Sequence, residues 1–83
     1  MIQVNDAAKI AQDTLTTFYP RAQNIQLEEV ELDEMSTHWL ITLSFIDPEA
    51  MLFPTFPKPR NYKLFRIASD TGEMVSMKIR ELK

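Results

Sequence analysis

The chain has 83 residues, 45% of them apolar and 25% charged, with a net charge of −3 and no cysteine. That length builds one hydrophobic core, so residues 1–83 read as a single domain. No apolar run approaches the roughly 18–20 residues of a membrane span, disulfides and thiolate chemistry are excluded, and the acidic balance has the wrong sign for a general phosphate binder.

The segment Met1 to Ala8 lacks the basic and apolar regions of a secretion signal, so the expectation is either a cytoplasmic protein or one whose signal has been removed, and Met1 favours the first. Asn5 is a suitable N-cap, and Asp6 complements the positive end of a helix. Ala7, Ile10, Ala11, Leu15 and Phe18 then recur at helical spacing, with Lys9, Gln12, Asp13 and Thr16 on the opposite side. Pro20 pushes its predecessor out of the helical region. The pattern predicts one amphipathic helix over about residues 5–18, with Leu15 and Phe18 supplying bulk to the core.

Ile25 to Glu34 predicts a strand whose phase slips. Ile25 and Leu27 are odd-numbered and Val30 and Leu32 even-numbered, so either a β-bulge lies at Glu28-Glu29 or Ile25 and Leu27 belong to a lead-in. Glu29, Glu31 and Asp33 share one face in either case. They form an acidic row that can be a solvated edge resisting aggregation or a surface for a basic partner.

A turn at Met35-Ser36-Thr37 leads into His38–Ile46, the most apolar stretch, which predicts a central strand. Trp39, Ile41, Leu43 and Phe45 are placed toward the helix. Leu40 and Ile46 make the other face greasy enough for self-association through that face or through an edge strand. Residues 47–60 hold four of the five prolines, which excludes them from a central ladder. They also carry Met51, Leu52, Phe53 and Phe56, which can fold back as a lid or stand out as a stiffened apolar epitope.

Tyr62 to Leu82 predicts a hairpin. Lys63, Phe65 and Ile67 alternate before a turn at Asp70-Thr71-Gly72-Glu73, and Val75, Met77 and Ile79 alternate after it. Gly72 is the only glycine in the chain and sits where a positive φ is needed. The whole predicts an α+β fold, with one N-terminal helix on a four-stranded antiparallel β-meander in two layers.

The hairpin pattern Phe65-x-Ile67, then Thr71-Gly72-Glu73-x-Val75, resembles the end of a PepSY module, a small α+β domain of bacterial propeptides and related proteins. The alanine-containing helix over residues 7–18 fits the same resemblance, and the broader architecture is cystatin-like. The resemblance implies a module that binds or inhibits a protein partner. Family members are usually extracytoplasmic, and here the sequence departs from them.

Chemistry-bearing clusters are sparse. His38 is the sole histidine, no Gly-rich phosphate loop can be built from one glycine, and carboxylates alternating along a strand do not wrap a cation. The sequence therefore predicts no catalytic residues, no metal and no cofactor. The expected role is a non-enzymatic protein-interaction or inhibitory module, such as an immunity protein plugging a basic site. The candidate contacts are Glu29, Glu31, Asp33, Met51, Leu52, Phe53 and Phe56. A small apolar-ligand sensor and a structural homo-oligomer subunit are the other expectations. Lys58, Arg60, Lys63, Arg66, Lys78, Arg80 and Lys83 concentrate positive charge in the second half, opposite in sign to Glu28–Glu34.

Overall fold

The computed structural model describes residues 1–48 and 60–80. Helix α1 (Val4–Phe18) is followed by strands β1 (Gln23–Leu32), β2 (His38–Ile46), β3 (Asn61–Ala68) and β4 (Met74–Ile79). The strands form one antiparallel sheet in the order β1-β2-β3-β4, and α1 packs on one face of it. This is the α+β meander that the sequence predicts. Among the described residues no helix is long and apolar enough to cross a membrane.

The helix begins earlier than its apolar spacing suggests. Gln3, not Asn5, is the N-cap, and the Asp6 carboxylate accepts the Gln3 N–H at 3.2 Å. A first-turn acid thereby satisfies one of the orphan donors at the helix start. At the other end Tyr19, held out of the helical region before Pro20, has φ −129° and ψ 72°. That break corrects the expected core. Phe18 is 65% exposed, whereas the Tyr19 ring turns back to 5.3 Å from that of Phe45.

Ala7, Ala11 and Leu15, four apart on one helix face, are buried against Ile41, Leu43, Phe45, Phe65 and Ile67. The two alanines let the helix approach the sheet closely. Each fully buried large side chain contributes about 1.5–3 kcal/mol from loss of water contact. A helix about 10 Å across covers roughly two strands spaced about 4.8 Å apart. Here those are the central pair, and the helix-side residues of the two edge strands are left at the flanks.

The phase slip in β1 is a bulge. Leu27 pairs with Leu43 and Glu29 with Thr42, so Glu28 is the extra residue. A second shift follows Gln23, where Asn24 has φ 54°. In β4, Ile67 pairs with Met74 but Arg66 pairs with Ser76, so Val75 is extra. The expected alternation Val75, Met77, Ile79 is therefore wrong at its first member: Met74 and Met77 pack on the core cluster, and Val75 is exposed. Between β3 and β4, Gly72 has φ 78° and donates its N–H to Ala68 O at 2.8 Å.

Residues 1–3 are stitched to the same end of the sheet. The Ile2 N–H donates to Ser69 O at 2.7 Å, and Ile2 O accepts from Trp39 Nε1 at 3.2 Å.

Candidate functional site

Pairing fixes which side each strand residue faces. On the helix side, Leu27 lies beside Leu43, Val30 beside Ile41, Phe65 and Met77, and Ile79 beside Lys63. On the far side, Glu29 lies in a row with Thr42, Leu64 and Lys78, and Glu31 in a row with Leu40 and Arg66. Two surfaces come out of this arrangement: the far face of the sheet and its outer edges.

The far face is less open than Leu40 and Ile46 suggest. Thr42 and Ser44 on it are fully buried, and long charged side chains hold their hydroxyls. Arg80 reaches from beyond β4 to donate to Thr42 Oγ1 at 2.6 Å, and its Nη1 also pairs with the Glu29 carboxylate. Ser44 Oγ donates to Glu28 Oε2 at 2.6 Å and accepts from Arg60 Nε at 3.0 Å. Arg60 also donates to the Asn24 carbonyl. The two arginines thus tie the irregular part of β1 to the centre of the sheet, through acceptors that burial makes costly to leave unpaired.

Asp33 falls just past β1, where its carboxylate locks the β1–β2 turn. Oδ1 accepts the Thr37 N–H at 2.7 Å and the His38 N–H at 3.2 Å, and Oδ2 accepts the Thr37 hydroxyl at 2.8 Å. His38 Nδ1 lies 2.8 Å from Thr37 Oγ1 and 3.3 Å from Asp33 Oδ2, and the Arg66 guanidinium is 3.9 Å from Oδ2. Desolvation works against the charged form. The Thr37 hydroxyl and backbone donors, with those of His38, outweigh it and lower the Asp33 carboxyl to about 2.

This grouping holds a carboxylate, a histidine and a hydroxyl, but not in the order that activates a nucleophile. Both oxygens gather at Nδ1, whereas a catalytic base accepts the hydroxyl proton at one ring nitrogen and is oriented at the other. With the hydroxyl proton directed to Asp33, the network assigns the Nδ1–H tautomer to His38. A cleft of about 370 Å³ lies beside it, lined by Ser36, Thr37, His38, Ala68, Ser69 and Asp70. Ser69 holds the two turns together: its Oγ donates to Ser36 O at 2.7 Å, and its N–H donates to Thr37 O at 2.9 Å.

The outer side of β1 is different. Among the described residues no strand pairs with it, and it presents exposed carboxylates together with Leu27 and Val30, 52% and 38% exposed. Of the acidic trio, Glu31 is exposed, Glu29 is tied to Arg80, and Asp33 belongs to the turn. Met51, Leu52, Phe53 and Phe56 lie outside the described residues. The exposed pair Leu27 and Val30 was not singled out from sequence; the signal was there in the phase slip, which puts both on the helix side of an edge strand that one helix covers only in part.

No protein-family model, curated protein or solved structure matches the chain.

Proposed function

We propose that the protein is a non-catalytic, cytoplasmic binding module that takes up an extended segment of a basic protein partner along the outer edge of β1. The observation that carries this reading is the alternation on that edge of exposed aliphatic residues, Leu27 and Val30, with the carboxylate of Glu31. A strand added there gains backbone hydrogen bonds from the edge and specificity from the alternating side chains. The net charge of −3 speeds encounter with a partner of opposite sign. Neutralisation of a toxin with a basic active surface is one concrete form, and a PepSY-like inhibitory role is another. The aromatics Phe53 and Phe56 join the proposal on sequence alone, as candidate anchors for the partner.

Short extended peptides that alternate lysine with valine test the reading, with glutamate–valine peptides as controls. Amide shifts in Gln23–Leu32 on adding the lysine peptide, weakened by Leu27→Lys and by Glu31→Lys, are the expected result. Shifts elsewhere, or equal response to both peptides, would remove β1 from the function. Replacing Phe53 and Phe56 together by serine should weaken the same binding while the far-UV circular dichroism stays unchanged.

A further inference from the structure

A strand of the kind that suits the β1 edge is present in the chain itself. We propose that β4 of a second copy pairs with β1, so that copies join side by side into one continuous antiparallel sheet. The inference rests on the reading of β1 as a strand-accepting edge and names its occupant.

Direction comes first. In an antiparallel meander of order β1-β2-β3-β4 the outer strands run oppositely. A copy shifted sideways by one sheet width therefore sets its β4 antiparallel to β1, with both helices on the same side. The faces then agree as well. Leu27 and Val30 lie on the helix side of β1, and Met77 and Ile79 lie on the helix side of β4. Glu29 and Glu31 lie on the far side of β1, and Lys78 on the far side of β4.

Burial points to the same edges. The exposed aliphatic side chains of the described sheet are Leu27 (52%), Val30 (38%), Val75 (51%) and Ile79 (75%), all on the two outer strands. The far face, by contrast, has its centre closed within one copy, because Thr42 and Ser44 are already buried. A face-to-face dimer therefore gains little there. Charge chooses between the possible edge pairings. Joining β1 to β1 or β4 to β4 sets like charges opposite one another, which is unfavourable in a ladder, whereas β1 to β4 sets Glu31 near Lys78. Glu29 and Arg80 are bound to each other within one chain, so Glu31 and Lys78 are the pair left to read the register.

The regular stretches are short, Glu29–Leu32 and Ser76–Ile79, each bounded by a bulge. The contact is accordingly weak, and assembly rises with concentration. Because the joined surfaces are unlike, each added copy exposes a new β1 or β4, and growth does not stop at two.

Sedimentation velocity over a concentration series tests this on the whole chain. Mass is expected to rise past the dimer with concentration and to fall with added salt. A variant with β1 blocked (Leu27→Lys, Glu31→Lys) and one with β4 blocked (Val75→Lys, Ile79→Lys) should each be monomeric. Every substituted side chain is exposed, and circular dichroism checks that the fold is kept. Mixed together, the two variants retain one competent edge each and should stop at a heterodimer. Assembly that ends at a dimer in the unmodified chain, or that survives both sets of substitutions, overturns the proposal. A monomer at all concentrations also overturns it; if the lysine–valine peptide still shifts the β1 amides, only self-pairing falls, and if it does not, the reading of the edge falls with it.

Discussion

Replacing Gly72 by alanine tests the turn that closes the fold. At φ 78° an L side chain is strained by about 1–2 kcal/mol, and alanine recovers about 0.4–1 kcal/mol by restricting the unfolded chain. The new Cβ would stand 3.3 Å from Ile10 Cδ1 and 3.7 Å from Ile2 Cδ1. Both neighbours are the ends of flexible side chains, so the contact adds little and the backbone carries the cost. The net loss is about 1 kcal/mol, which corresponds to roughly 4–8 °C in melting temperature for a domain of this size. Urea titration should show a lower midpoint at unchanged slope. Repeating the substitution in an Ile10→Val background separates the two causes: a backbone origin leaves the penalty the same, whereas a packing origin shrinks it. Asparagine, which tolerates the left-handed region better, should cost less than alanine. An alanine variant as stable as the parent would refute the strain argument.

Three further outcomes are expected. Leu15→Ala should cost about 2–5 kcal/mol through the cavity it leaves, while Phe18→Ala, at a side chain 65% exposed, should lie within about 0.5 kcal/mol of the parent; thermal melts of the pair decide whether Leu15 or Phe18 is the helix's anchor. For Asp33, whose carboxyl is lowered from 3.8 to about 2, the unfolded chain binds a proton first as pH falls. Its stabilisation is complete above the ordinary value and disappears as pH drops through the folded one, so urea midpoints between pH 4 and pH 2 should fall less steeply for Asp33→Asn than for the parent. Arg80→Ala leaves the buried Thr42 hydroxyl without its donor and should cost about 1–3 kcal/mol; adding Thr42→Val should return part of that loss, and a strictly additive double variant would show that the contact carries no coupling.

Much of the architecture could be read from the chain because the informative signals are local. The Ala7, Ala11, Leu15 spacing sets the helix face, the broken parity between Leu27 and Val30 marks the bulge at Glu28, and the lone glycine marks the hairpin. The errors are also physical. Asn5 is the better capping residue by preference, yet the Gln3–Asp6 pair closes the first turn, since a carboxylate three residues on can reach back to the cap N–H. Tyr19 replaces Phe18 because release from the helix lets its ring swing inward. Val75 and Met74 are both apolar, so nothing in the order of residues reveals which of them the register shift would turn out. The site was harder to read. Thr42 and Ser44 look like ordinary far-face positions until Arg60 and Arg80, distant in sequence, fold across them. The Asp33–Thr37–His38 lock needs a turn whose shape no spacing rule specifies.

The tether between Ile2 and Trp39 has a practical consequence. Trp39 is the only indole in the chain, and its ring nitrogen is held by a carbonyl of the segment leading into α1. Its fluorescence therefore watches one seam, where the start of the chain meets the second strand. Detachment of that segment, ahead of any loss of the sheet, would register as a change in emission without a matching change in circular dichroism.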